Sequence, residues 1–151
     1  MPQPKPLDTL LGLARDQLDD ATRQLGGLQN VRLGAARQLE QLEGYLADYR
    51  SRLQDAVQQG LSAAGWQNYQ RFIGVLEGAI AEQRNVLQQA EGQLAQGQRH
   101  WQQQKRRLSS FDALAERQQR QELLLAGRRE QKAADDYSIR LAHSRRNSRS
   151  L

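Results

Sequence analysis

LDTLLGLARDQLDDATRQLGGLQNVRLGAARQLEQLEGYLADYRSRLQDA, residues 7–56, decides the fold. Its apolar residues recur in alternating steps of four and three: Leu7, Leu11, Ala14, Leu18, Ala21, Leu25, Leu28, Arg32, Ala35, Leu39, Leu42, Leu46, Tyr49, Leu53 and Ala56. Fourteen of these fifteen positions are apolar, Arg32 being the exception, so the pattern runs unbroken through seven heptads. A mean step of about 3.5 residues keeps one seam on one face of a supercoiled helix. A stripe that long asks for a partner helix of equal length.

The chain supplies the partner. From Trp66 the rhythm resumes through Tyr69, Ile73, Leu76, Ile80, Gln83, Leu87, Ala90, Leu94, Gly97, Trp101, Gln104, Leu108, Phe111 and Ala115, twelve of fifteen being apolar. Between the runs, Gly60 suits a helix stop and Ser62 an N-cap. The reading is all-α: a long antiparallel two-helix coiled-coil hairpin, with helix one over about residues 7–58, a turn at 59–62 and helix two over about 63–137. Folding about the turn pairs positions whose numbers add to about 122, which sets large residues against small ones. Leu25 then faces Gly97, Ala21 faces Trp101 and Ala35 faces Leu87. Leu18 against Gln104 and Leu39 against Gln83 are the weak layers. Arg32 is expected to lie over Ala90 with its head towards Glu91.

The 151 residues suit one domain, and 38% apolar with 5% aromatic content is low for a globular core. There is no cysteine, hence no disulfide or thiolate chemistry. No stretch is apolar enough to span a membrane, and the start of the chain lacks a signal core. Charge is uneven. Residues 1–98 hold nine basic and eleven acidic groups, and residues 99–151 hold thirteen and six. The basic end should seek an acidic partner.

Residues 1–6 contain all three prolines and read as a flexible leader. In the antiparallel register helix one runs out opposite Ala115. Helix two is therefore expected to overhang, carrying Leu123, Leu124 and Leu125 on an otherwise polar surface. Leucines on an unpartnered helix point to burial against another molecule. The coiled coil with its extension is assigned to residues 7–142, and residues 143–151 read as a disordered basic tail. Ten of the twelve glycines fall in helical segments, which suggests close helix approach, as at Gly97, or bending.

No constellation for catalysis is present. His100 and His143 lie far apart in sequence, adjacent carboxylates such as Asp19-Asp20 diverge on a helix, and two helices enclose no dry pocket. The expectation is a protein that is not an enzyme, without cofactor, metal or small-molecule substrate. Lys105-Arg106-Arg107 and Arg145-Arg146 are basic clusters, but acidic residues interleave with the later arginines, so no nucleic-acid-reading helix is expected.

The layout resembles the FliJ family of flagellar export proteins. The residues carrying the resemblance are Leu42-Glu-Gly-Tyr45-Leu-Ala-Asp-Tyr49, the Gly60-Leu-Ser62 turn, Tyr69-Gln-Arg-Phe72-Ile73-Gly-Val-Leu76 with Ala79-Ile80, Trp101, and Glu130-Gln131-Lys132-Ala-Ala-Asp135-Asp136. The family's usual Asp-Glu pair is Asp135-Asp136 here. The resemblance implies an antiparallel coiled coil similar to the central stalk of rotary ATPases. It implies three partners in the flagellar type III protein export apparatus: the hexameric export ATPase FliI, the export gate protein FlhA, and export chaperones. It implies a cytoplasmic protein, held peripherally at the inner membrane through that apparatus. Gln38, Leu42, Tyr45, Tyr49, Phe72, Leu76 and Ala79 match the positions the family turns towards the gate. Of these, Tyr45 and Phe72 lie off the strict seam and are the better contacts, whereas Leu42, Tyr49 and Leu76 can equally be core. The basic, unpaired overhang adds an ATPase-ring set: Arg117, Arg120, Leu124, Arg128, Arg129, Lys132 and Asp135. Two alternatives remain open at this point: a scaffold or chaperone-like coiled coil, and the equivalent stalk of a virulence type III system.

Overall fold

The computed structural model describes residues 5–149 and contains two helices, α1 (Pro6–Gln59) and α2 (Ala63–Arg149). They pack against each other as an antiparallel hairpin. Pro6 opens α1, where its fixed φ suits a first helical residue and its missing N–H costs nothing. The Lys5 carbonyl accepts from the amides of Asp8 and Thr9 at 3.0 and 3.3 Å. Asp8 sits in the first turn, at the positive end of the helix dipole. At the other end Gly60 takes φ +93°, a conformation that disfavours every side chain, and α1 stops there. Ser62 caps α2 as the sequence predicts: its Oγ accepts from the Gly65 amide at 3.1 Å and its carbonyl from the Trp66 amide at 2.9 Å. The expected leader at residues 1–6 lies outside the described residues except for Lys5 and the helical Pro6.

The chain divides into two compact units, Asp16–Lys105, and Met1–Arg15 together with Arg106–Leu151. In the first, Ala21, Ala35 and Leu53 of α1 are buried against Ile73, Leu76, Ile80, Gln83 and Ala90 of α2. Leu25, Leu28, Leu39, Leu42, Leu46 and Tyr49 are half-buried, as a seam covered by only one neighbouring helix requires. Gly97 lies between its predicted partner Leu25 and the next seam residue, and is nearer the latter: an added Cβ would lie 2.5 Å from Leu28 Cδ1 and 3.8 Å from Leu25 Cδ1. The predicted register holds beside Ala21, where Trp101 Nε1 donates to Thr22 Oγ1 at 3.0 Å, and Thr22 Oγ1 donates on to the Leu18 carbonyl at 2.9 Å. Arg50–Glu77 at 2.9 Å and Arg84–Glu43 at 3.5 Å flank the seam.

Three details depart from expectation. Trp66 is 45% exposed instead of seated in the seam. It lies next to the turn, where the indole has too little helix opposite to cover it, and it lines a surface groove with Val57 and Leu61. Arg32 is half-buried, but among the described residues it makes no ion pair with Glu91. Most helical glycines, including Gly26, Gly27, Gly44, Gly74, Gly78 and Gly92, have nothing within 4 Å of a built Cβ, so close approach explains Gly97 and not these.

In the second unit the start of α1 lies beside α2. Leu11 and Ala14 are buried, and Leu7, Leu108, Phe111, Ala115 and Gln118 are half-buried. Arg15–Asp112 at 3.8 Å and an ion pair between Lys5 and Glu122 bridge the two segments. Beyond Glu122, α2 has no helix alongside it among the described residues, and every side chain from Leu123 to Arg149 is exposed. This overhang does not stop near Tyr137, and His143–Arg149 is not an irregular tail: the helix persists to Arg149. After Gly127 the segment holds no glycine and no proline, so nothing in it breaks a helix. Arg146 and Arg149 in the last turn suit the negative end of the dipole. Residues 150–151 of the expected tail lie outside the described residues. At about 1.5 Å per residue the overhanging segment is about 40 Å long.

Candidate partner-binding surfaces

The first candidate surface is in the Asp16–Lys105 unit. Gln38, Leu42, Tyr45 and Tyr49 recur on one side of α1, and Phe72, Leu76 and Ala79 on one side of α2. Tyr49 and Phe72 pack together with ring centroids 4.3 Å apart, and Tyr69 closes edge-on at 6.4 Å from Tyr49. Phe72 is 42% exposed, so it touches the seam with one face and keeps the other free. Tyr45 is 50% exposed, and its hydroxyl accepts from Gln41 Nε2 at 3.0 Å. Gln38 is exposed, and Leu42, Tyr49 and Ala79 are half-buried. Leu76 is different: it is buried in the core, and its side chain is spent on the seam. The separation drawn from the heptad phase, with Tyr45 and Phe72 off the seam and Leu76 on it, is therefore the one the structure has.

Sequence reasoning missed the cationic and aliphatic wall of this surface. Tyr49, Tyr69 and Phe72 line an open groove of about 530 Å³ together with Arg52, Asn68, Arg71 and Val75. The Arg52 guanidinium stacks 5.5 Å from the Tyr49 ring centroid and reaches Asp48 at 3.2 Å. Val75 is 62% exposed. The signal was available: Val75 is an aliphatic residue one position off a seam leucine, three residues after Phe72. A seam search discards it for its phase. Groove of this kind, aromatic on one side and cationic on the other, suits a partner surface that offers aliphatic groups beside carboxylates.

The second candidate surface is on the other unit. Arg117, Arg120, Leu124, Arg128, Arg129, Lys132 and Asp135 are all exposed on α2. Arg120 pairs with Glu116 one turn earlier at 3.7 Å, a solvated contact worth only a few tenths of a kcal/mol. Leu123, Leu124, Leu125, Tyr137, Ile139 and Leu141 add an exposed apolar component that none of the described residues covers. His100 and His143 are exposed, and no group of three or more His, Asp or Glu among the described residues is placed to hold a metal ion. No described helix is long and apolar enough to cross a membrane.

Similarity to known proteins covers nearly the whole chain. The family model for the flagellar FliJ protein matches residues 3–147. The flagellar FliJ protein of Salmonella typhi is 36% identical over 142 residues, 94% of this chain and 97% of the relative. That of Escherichia coli (strain K12) is 35% identical over 136 residues, 90% of this chain and 92% of the relative. That of Buchnera aphidicola subsp. Acyrthosiphon pisum is 34% identical over 65 residues, 43% of this chain and 45% of the relative. With both surfaces inside the matched span, the chain belongs to the flagellar FliJ protein family and is a component of flagellar protein export.

Proposed function

We propose that this chain works without catalysis as a central stalk of the flagellar export ATPase, inserting its overhanging helix into the hexameric ring of FliI and promoting ring assembly and hydrolysis. One observation carries the reading: from Leu123 to Arg149, α2 is helical and exposed, with no helix alongside it among the described residues and with arginines interspersed among leucines. A solvated helix of that length gains from being enclosed by other protein. On the overhang Arg128, Arg129 and Lys132 supply charge towards an acidic lining and Leu124 supplies apolar area, while Arg117 and Arg120, expected on the overhang but lying where α1 still runs beside α2, add charge at its base. The loop-proximal groove serves a second partner, the export gate protein FlhA, with Tyr45 and Phe72 as contacts and Leu76 as support from the core. Export chaperones are further partners, and the location is the cytoplasmic face of the inner membrane, reached through the apparatus.

The test is steady-state ATP hydrolysis by the cognate export ATPase with the full chain and with a chain ending at Glu122. Stimulation by the full chain that the shortened chain fails to give supports the stalk. Equal stimulation by both removes the overhang from the ring, and stimulation by neither leaves a scaffold. For the gate, Tyr45→Ala with Phe72→Ala should abolish binding while helicity is retained.

A further inference from the structure

We propose that the Asp16–Lys105 unit contains a hinge, formed by residues 23–34 of α1 and 91–100 of α2, at which both helices bend together. Five of the twelve glycines lie in these two stretches: Gly26, Gly27 and Gly34 on α1, and Gly92 and Gly97 on α2. They stand at matching levels. A Cβ built on Gly97 would meet Leu28 and Leu25, so Gly97 is level with Gly26 and Gly27. Gly92 lies five residues from Gly97 towards the turn, and Gly34 lies six from Leu28 in the same direction. These separations are about 7.5 and 9 Å along the axes. The matching decides how the pair responds to a bend. A weak point in one helix alone is splinted by a continuous neighbour, whereas weak points at one level let both helices yield together.

Packing does not require most of these glycines. Gly26, Gly27, Gly34 and Gly92 have nothing within 4 Å of a built Cβ, and each weakens a helix relative to alanine. Adjacent small residues are among the few causes of a helix kink, and Gly26-Gly27 is such a pair. Gly97 acts differently, by letting α1 approach. The nearer two axes lie, the less the helices must slide past each other for a given bend.

The surroundings leave these stretches free to bend. None of residues 23–34 and 91–100 is buried. Arg32, the one charged residue of the α1 seam, falls here and thins its apolar contact. Among the described residues no ion pair or hydrogen bond crosses between the helices within these stretches. Crossing bonds bound them instead: Trp101 Nε1 to Thr22 Oγ1 on one side, and Gln83 Nε2 to the Ala35 carbonyl at 3.1 Å on the other. Gly44, Gly74 and Gly78 are equally open to a Cβ, but they lie beside Arg84–Glu43 and Arg50–Glu77 and next to the buried Ile73, Leu76 and Ile80, which hold the helices straight. The groove lined by Tyr49, Tyr69 and Phe72 is on the turn side of the hinge and swings with it. A partner held there can therefore change direction without the seam opening.

Backbone residual dipolar couplings of the full chain, aligned in a stretched polyacrylamide gel, test this. They report the direction of each helical stretch averaged over motions up to milliseconds. No ATPase or gate protein is needed, so the outcome is separate from that of the stalk reading. Residues 35–59 and 63–90 should fit one alignment tensor, and residues 16–22 and 100–105 a second. Gly26→Ala with Gly27→Ala, Gly34→Ala and Gly92→Ala should bring both sets to a single tensor. Gly44→Ala with Gly74→Ala and Gly78→Ala, a matched change outside the hinge, should leave two. All these positions are open to an added Cβ and alanine favours a helix, so folding is kept in both variants. A single tensor for the unsubstituted chain, two tensors in the first variant, or a single tensor in the second would overturn the proposal.

Discussion

Residues 16–105 and residues 123–149 are both α-helical, but different physics holds them so. In the first region each helix hides its apolar stripe under the other, and Ile73, Leu76, Ile80 and Ala90 lose nearly all their exposure. In the second no side chain is covered, and the helix rests on backbone propensity, a basic last turn that matches the dipole and the absence of proline. The packed region owes its stability to tertiary contacts. The overhang is rich in arginine, alanine and leucine, and its exposed surface is open to contacts outside the chain. A single substitution should therefore act on stability in one region and on association in the other.

The sharpest way to break this contrast is to remove equivalent apolar mass from each region. Ile80 is 4% exposed, and Ile80→Ala should cost about 2–4 kcal/mol in urea unfolding, through lost transfer energy and a cavity that two helices close only in part. Leu124→Ala should stay within about 0.5 kcal/mol, since its side chain is already in water. Comparable losses at both sites would mean that the overhang folds back onto the hairpin in solution.

A middle-sized effect separates the two glutamines of the seam. Gln83 is buried with its Nε2 donating to the Ala35 carbonyl at 3.1 Å. Gln104 has a buried Oε1 with no donor among the described residues. An unsatisfied buried acceptor carries its desolvation cost uncompensated. Gln104→Leu, placed against Leu18, should therefore raise stability by about 1–2 kcal/mol. Gln83→Leu should change it by less than about 1 kcal/mol, because it exchanges a made hydrogen bond for apolar contact. Destabilisation by Gln104→Leu would show that the amide finds a partner the seam does not supply.

The same division explains what could be read from the sequence. Every seam position of α1 from Leu7 to Ala56 is buried or half-buried, because a sustained heptad leaves one face for the neighbour and one for water. Glycine and serine chemistry set the turn, and volume matching found the register at Trp101 and the close approach at Gly97. Trp66 escaped because phase alone ignores that α1 is about to end. The helix beyond Tyr137 escaped because a polar, arginine-rich composition was read as disorder, although nothing in it breaks a helix. At the candidate site, phase separated Phe72 and Tyr45 from Leu76 but could not see Arg52, Arg71 and Val75. The groove is made by two helices meeting, and neither helix announces it alone.

The smallest effect sharpens the comparison by changing only propensity. Gly27 and Gly127 are both helical, exposed and open to an added Cβ. Alanine at either should favour the helix by about 1 kcal/mol. Gly27 belongs to the packed unit, so Gly27→Ala should appear as an upward shift of the cooperative thermal midpoint. Gly127 sits where no tertiary contact couples the helix to the core. At low protein concentration Gly127→Ala should deepen the far-UV helical signal and leave that midpoint unmoved. Should Gly127→Ala shift the midpoint as Gly27→Ala does, the overhang melts together with the seam, and propensity is not what holds it.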